Sequence, residues 1–406
     1  MSGRRAITRV QIWNYKSIEF CDVELNPLMI LVGPNGSGKS NFLDALEFIS
    51  DALNETLDVA IRKRGGFQAI MRNDPLGQPF PEIRLQMNLD NGLVAKYWLS
   101  FRSHSPGMYR ISRETCEIFD PKSEKSKIWY EVGDEVGEDK VNSSEPLPPA
   151  YSSDNLYLTR MSSVPEFRPV YDLLARMEFY NFNPDAMRTF HNPDTGEMLK
   201  HDGSNAASVL RKLMKHSPDI KIRLEQYLNA IVPGLVEVDP YVVGVLETLE
   251  FKQVIYEYFE RKEELDRKFL ALSMSDGTLR ALGILIALFQ YANSEKNRFS
   301  IIAIEEPETG LHPKVLRAIF DAVDDAIDHV QVIMTSHSSE ILDILEGTNH
   351  ILAVKLIEGS TVINKIDSAS QHVIDGKFYT PGELLSINQL EPYSPENNPE
   401  LAASSR

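Results

Sequence analysis

Four short stretches of this sequence carry residue types whose order and spacing could do chemistry. Gly33-Pro34-Asn35-Gly36-Ser37-Gly38-Lys39-Ser40 has the form Gly-x-x-x-x-Gly-Lys-Ser. Glycines at those positions let the backbone curl so that successive N–H groups point inward, a shape that holds phosphate oxygens. The lysine supplies a cation for the β/γ-phosphates, and the serine hydroxyl supplies an oxygen for Mg2+. The candidate nucleotide-binding residues are therefore Asn35, Gly36, Ser37, Gly38, Lys39, Ser40 and Asn41. In Ile301-Ile302-Ala303-Ile304-Glu305-Glu306-Pro307, two carboxylates follow four apolar residues. At the C-terminal end of a buried strand, Glu305 would orient Mg2+, directly or through its waters, and Glu306 would polarise an attacking water. Ser275-Asp276-Gly277 opens an apolar helix, with Ser275 at the N-cap and backbone N–H groups left free behind it. Val332-Ile333-Met334-Thr335-Ser336-His337 delivers a histidine to the end of a strand-like run. Taken singly, each stretch has a plainer reading: a Gly-rich turn, an acidic turn after a core strand, a capping turn, a structural histidine.

The elements around these stretches have to place them. Residues 28–32 are wholly apolar and read as a buried strand, and residues 41–57 repeat apolar side chains at helical spacing. That strand–loop–helix context is what a phosphate loop requires. Ahead of it, residues 6–12 and 18–25 alternate as strands joined by the turn Asn14-Tyr15-Lys16-Ser17. Residues 62–68 form a basic, Gly-broken loop that contains Gln68. Residues 83–89, 93–101, 108–119 and 127–132 read as short strands, with Asp90-Asn91-Gly92 as a hairpin turn, which makes an antiparallel β subdomain. Residues 133–154 are acidic, Ser-rich and punctuated by prolines, the composition of a mobile excursion. From 167 to 235 the pattern is helical, and 236–259 and 268–272 return to strand-like alternation. Residues 278–292 are so apolar that the helix they form must be buried all round. Residues 300–304 and 330–335 have the character of buried parallel strands. Residues 350–357 and 361–366 suggest a closing hairpin, and 391–406 a disordered tail. The fold class expected is α/β, with a mostly parallel core sheet, an antiparallel β subdomain and an inserted helical lobe. Its parts are an N-terminal lobe (1–158), a helical insertion (159–240), a C-terminal lobe (241–390) and the tail (391–406).

The bulk numbers exclude several classes. The 406 residues suffice for a large core, and the formal charge of −17 argues against a generally cationic nucleic-acid coat. Cys21 and Cys116 match no metal or redox spacing and read as reduced structural thiols. The first residues lack the apolar segment of a secretory signal, and residues 281–289, the longest apolar run, are too short for a bilayer. A cytoplasmic location without a membrane partner is expected.

The order of Lys39-Ser40, Ser275-Asp276-Gly277, Glu305-Glu306 and His337 resembles an ABC-type ATPase head. It is most similar to the predicted ATPases of the SMC, RecF and OLD group, the class labelled AAA15/AAA21. The likeness extends through Asn14-Tyr15-Lys16-Ser17, Asp202-Gly203-Ser204-Asn205, Leu210-Arg211, Val232-Pro233-Gly234-Leu235, Glu305-Glu306-Pro307-Glu308-Thr309-Gly310-Leu311-His312-Pro313 and Thr335-Ser336-His337-Ser338. The resemblance implies ATP and Mg2+ as ligands and a homodimer of heads or a higher oligomer. In that arrangement each ATP lies between one subunit's phosphate loop and the other's Ser275-Asp276-Gly277 signature. It also implies that His337 senses the γ-phosphate, that residues 308–312 form the loop communicating across the dimer, and that Lys16 and Ser17 lie near the nucleotide. Glu305 stands where most ABC ATPases have Asp, and Thr278 replaces the Gln of the transporter signature. Gln68 is the candidate metal-sensing glutamine, with a surface role as its alternative.

The function expected is a dimeric, ATP-hydrolysing switch that gates a nucleic-acid-directed partner, a nuclease or toxin, in phage defence or DNA repair. Residues 338–406 hold no Glu…Asp-x-Asp cluster, so such an effector is expected on a separate polypeptide. A RecF-like, ATP-dependent DNA-binding clamp is the alternative. A transporter subunit is disfavoured by the Asn-Tyr-Lys-Ser start and the Glu-Glu-Pro-Glu-Thr-Gly-Leu-His-Pro box.

Overall fold

A strand covered on both faces must be apolar at every position, and residues 28–32 meet that demand: all five side chains of β3 (Leu28–Val32) are buried. The computed structural model describes residues 6–72, 80–105, 108–122, 126–133, 141–146, 149–150, 155–256, 264–293, 300–345 and 347–393. They form two units, one from residues 178–345 and the other from 5–177 with 346–406.

The second of these begins with β1 (Ile7–Tyr15) and β2 (Ile18–Glu24), so the first strand runs on through Tyr15 and the turn tightens to Lys16-Ser17. After β3 comes α1 (Lys39–Asn54), shorter than the helical period suggested. Leu57 belongs instead to α2 (Leu57–Lys63), because the Thr56 side chain caps the Val59 N–H and restarts the helix. The basic stretch expected to be a loop contains α2 and the short α3 (Phe67–Ile70), hinged at Gly65-Gly66. The strands β4 (Glu82–Asn88), β5 (Val94–Ser105), β6 (Met108–Phe119), β7 (Ser126–Val132) and β8 (Val141–Ser143) complete a seven-stranded antiparallel sheet of order β2-β1-β4-β5-β6-β7-β8. Part of the expected excursion is therefore an edge strand paired with β7, while 134–140, 147–148 and 151–154 lie outside the described residues. The helices α4 (Tyr157–Met161) and α5 (Arg168–Ala175) follow, and the N-terminus of α4 meets the buried Glu114 carboxylate. Glu114 accepts from Tyr157 N (2.6 Å), Leu158 N (2.9 Å), Tyr130 Oη (2.8 Å) and Tyr97 Oη (3.2 Å).

The other unit holds β9 (Met177–Tyr180), α6 (Pro184–Arg188), α7 (Ala206–His216), α8 (Pro218–Ile231) and an antiparallel sheet of β10 (Leu235–Val243), β11 (Leu246–Tyr256) and β12 (Glu264–Leu270). α9 (Asp276–Phe289) is buried on all sides from Thr278 to Phe289 apart from Arg280, as its composition demanded, and ends in a 3-10 turn over Gln290–Asn293. β13 (Ile301–Glu305), α10 (Pro313–Ala326), β14 (Gln331–Ser336) and α11 (Ser339–Ile344) make a β–α–β–α run in which β13 and β14 are parallel. The chain then returns to the unit of residues 5–177. There β15 (Ile351–Ile357) lies parallel to β3 and antiparallel to β16 (Ser360–Asn364), followed by α12 (Ser368–Asp375) and α13 (Pro381–Ser386). The tail is not structureless from its start: Pro392 bridges to Ile366, and Tyr393 N donates to Lys365 O. Residues 394–406 lie outside the described residues.

Replacing Glu114 by Gln puts an NH2 group among four donors, so denaturant melts should show a loss of about 1–3 kcal/mol. Both cysteines are buried and free; burial pushes the Cys21 thiol up to about 12 and the Cys116 thiol well above its ordinary value. Neither should react with iodoacetamide in the native protein, and both should react in guanidinium, as counted by mass spectrometry.

Candidate functional site

The phosphate loop is shaped by what it excludes. Gly38 has φ +102, and a Cβ there would fall 2.1 Å from Thr361 Oγ1, while one on Gly33 would fall 2.0 Å from Val354 O. Only glycine permits this approach of loop to hairpin. Lys39 is buried, and its Nζ donates to Gly33 O (2.8 Å) and Pro34 O (3.0 Å), which seat the ammonium beneath the loop. Asn35, Gly36 and Ser40 are exposed, whereas Ser37 is buried with an Oγ that has no hydrogen-bond partner among the described residues. The amide N–H groups of Asn35, Gly36 and Gly38 make no hydrogen bond among the described residues. Free amides, an orphan hydroxyl and a seated ammonium are the donor set a polyphosphate needs.

The flank of the loop is tied by side chains. Asn41 Nδ2 donates to Ser17 Oγ (2.7 Å), which lies 2.6 Å from Thr361 Oγ1; Thr361 Oγ1 donates to Ser37 O (2.9 Å). Lys16 is not a free cation: its Nζ pairs with Asp44 (2.6 Å), which also accepts from Tyr15 Oη (2.7 Å) and Arg64 Nε (2.7 Å). Gln68 lies exposed on α3 rather than in a loop.

In the other unit, β13 brings Glu305 to its C-terminal end, and the chain turns at Glu306 with φ +44. A left-handed backbone at a non-glycine residue costs roughly 1–3 kcal/mol. It is held by the Glu306 N–H, which donates to Thr335 O (3.1 Å) at the end of β14. The next turn of chain buries Glu308, whose Oε1 accepts from Ser336 Oγ (2.7 Å) and His337 N (3.1 Å). The His337 ring then lies with Nδ1 3.5 Å from Glu306 Oε1 and 3.6 Å from Glu308 Oε1. Burial lowers Arg280 from the usual guanidinium value, against the nearby charges of Glu306, Asp276 and Glu308. This arrangement can hold a water or a cation against carboxylates, and it places a titratable ring beside them. Among the described residues no group of three or more His, Cys, Asp or Glu side chains is disposed to hold a metal. Ser40 and Glu305 are hard oxygen donors of the kind that serve Mg2+ together with phosphate oxygens and waters.

The signature stretch has the capping geometry read from sequence: the Ser275 side chain accepts from Thr278 N (3.2 Å). Arg188 of α6 pairs with Asp276 and donates to Met274 O (3.1 Å), fixing the segment on both sides of Ser275. Gly277 is required by close packing, since a Cβ would lie 2.6 Å from Gly310 O. Sequence reasoning missed Arg188, Thr335 and Thr361 as partners, and gave Glu308 no role beyond its loop. Of these only Glu308, in a run of acids after an apolar strand, carried a local signal.

Comparison with known proteins follows the same lines. Old nuclease of Escherichia phage P2 is 23% identical over 393 residues, 89% of this chain and 62% of that protein. Endonuclease GajA of Bacillus cereus (strain HuB5-5) is 26% identical over 164 residues, 39% of this chain and 23% of that protein. The DNA replication and repair protein RecF of Phocaeicola vulgatus is 38% identical over 80 residues, 19% of this chain and 22% of that protein. The chain thus spans less than two thirds of each curated relative. Among solved structures, an SMC head bound to the C-terminal winged-helix domain of ScpA matches with TM-score 0.54 and 11% identity, covering 90% of this chain and 99% of that one. An SMC head with an extended coiled coil, bound to the C-terminal domain of ScpA from Pyrococcus furiosus, matches with TM-score 0.53 and 10% identity, covering 92% and 100%. The fold is that of an SMC-head-like P-loop NTPase. A family model described as "AAA domain, putative AbiEii toxin, Type IV TA system" matches residues 28–343, from β3 into α11, and the chain belongs to that family of SMC-, RecF- and OLD-like ATPase heads.

Proposed function

We propose that this chain binds and hydrolyses ATP and works as a dimeric switch that gates a nucleic-acid-directed effector. The observation that carries the reading is the phosphate loop, with its unbonded amides at Asn35, Gly36 and Gly38 over the buried Lys39 ammonium. In this reading the loop amides and Lys39 bind the ATP phosphates, and Ser40 and Glu305 serve Mg2+. The ion, when bound, neutralises phosphate charge. Glu306 takes the role of general base toward water, and the strain at its φ supports that assignment, because strained backbone concentrates at working residues. His337, whose backbone N–H donates to Glu308, is the candidate sensor of the γ-phosphate. Ser275, Asp276 and Gly277 act on the nucleotide of a partner copy, with the free N-terminus of α9 as the donor.

The similarity to Old nuclease and Endonuclease GajA supports a nuclease as the effector, on this or another polypeptide. The RecF match supports a second reading, an ATP-dependent DNA clamp. A steep fall of ATP-dependent DNA binding with rising salt would favour the clamp.

Lys39→Ala should weaken ATP binding at least about tenfold in titration calorimetry, since a charge-assisted contact to phosphate is worth about 1.5–3 kcal/mol. Glu306→Gln should still bind ATP while phosphate release slows by about 10²–10⁴-fold. Hydrolysis at the wild-type rate in that variant would remove Glu306 from the role of base.

A further inference from the structure

One residue that braces the phosphate loop comes from far along the chain. Thr361 sits on β16, fully buried, beyond the residues that the family match covers. Its Oγ1 donates to Ser37 O at 2.9 Å, and its own N–H donates to Ser17 O at 2.8 Å. The hydroxyls form a one-way relay. Asn41 Nδ2 donates to Ser17 Oγ (2.7 Å), Ser17 Oγ can donate to Thr361 Oγ1 (2.6 Å), and Thr361 Oγ1 spends its proton on the Ser37 carbonyl. Each hydroxyl then donates once and accepts once, so both hydroxyl protons are committed.

The consequence lies in the peptide between Ser37 and Gly38. In a planar trans peptide the C=O and the N–H point in opposite directions. Holding the Ser37 C=O against Thr361 therefore turns the Gly38 N–H away from the hairpin, and that N–H has no acceptor among the described residues. We propose that Thr361 is a positioning residue for ATP binding: through the Ser37 carbonyl it aims the Gly38 amide at the phosphates. This rests on the reading of the loop as an ATP site. Gly38 completes the device, because any Cβ would occupy the space of the Thr361 side chain. The hairpin of β15 and β16 thus sets the affinity of a loop that precedes it by more than three hundred residues.

The test compares the wild-type chain, Thr361→Val and Thr361→Ser by titration with MgATP, alongside thermal melts without nucleotide. Thr361→Val keeps the shape and loses the hydroxyl, so ATP should bind about five- to tenfold more weakly while the melting temperature moves by no more than about 2 °C. Thr361→Ser restores the donor and should bind within about twofold of wild type. If Thr361→Val does not fold, Thr361→Ala removes the same donor with a smaller side chain, and unchanged affinity in a folded Thr361→Ala overturns the proposal. Wild-type affinity in a folded Thr361→Val also overturns it and leaves the ATP reading standing. A wild-type chain that binds no ATP overturns both.

Discussion

Backbone amides can hold phosphate only if they are kept from bonding to anything else, and that demand governs the unit built around β3. A helix or sheet would consume the N–H groups of Asn35, Gly36 and Gly38; a curled loop frees them but must be supported from behind. The support is the C-terminal hairpin. Val354 O packs against Gly33, Thr361 packs against Gly38, and β15 pairs with β3 itself. The loop, its strand and its hairpin are one object in space although the chain makes them at opposite ends.

The second constraint is the turn at Glu306. Four buried residues precede Glu305 at the end of β13, and the next carboxylate, Glu306, sits on left-handed backbone. Thr335 holds the turn through its backbone carbonyl, and Glu308 returns a carboxylate to Ser336 and His337. The two strand ends are thereby tied to each other, β13 to β14. The packing of Gly277 against Gly310 joins the start of α9 to the same turn, so the signature stretch and the acidic turn are packed together.

The antiparallel sheet has a different role. Its buried face supplies Phe101, which stacks on Phe48 of α1 with ring centroids 4.8 Å apart. Arg64 lies over the Phe48 ring and pairs with Asp44 and Asp51, holding α2 to α1. This scaffold fixes the helix that begins at Lys39, and with it the direction in which the loop opens.

Much of this was legible in the sequence because its signals are local. Gly-x-x-x-x-Gly-Lys-Ser after an apolar run, the Asp90-Asn91-Gly92 turn, the almost wholly apolar α9 and the strand before Glu305 each depend on residues within a few positions of one another. The misreadings were of another kind. Leu57 fitted the period of α1, but a capping threonine outranked the period. The polar stretch around residue 141 looked unstructured, yet three residues complete a sheet edge whose partner, β7, supplies the hydrogen bonds that composition cannot show. Lys16 has the look of a phosphate ligand until Asp44, twenty-eight positions on, claims its charge. The sequence by itself determined the chemistry available: which donors, carboxylates and glycines exist, and in what local frames. Tertiary structure alone decided which of them are aimed and which are neutralised. Aim and neutralisation are set by contacts such as that of Thr361 with Ser37, whose partners share no sequence period and meet only when the sheet forms.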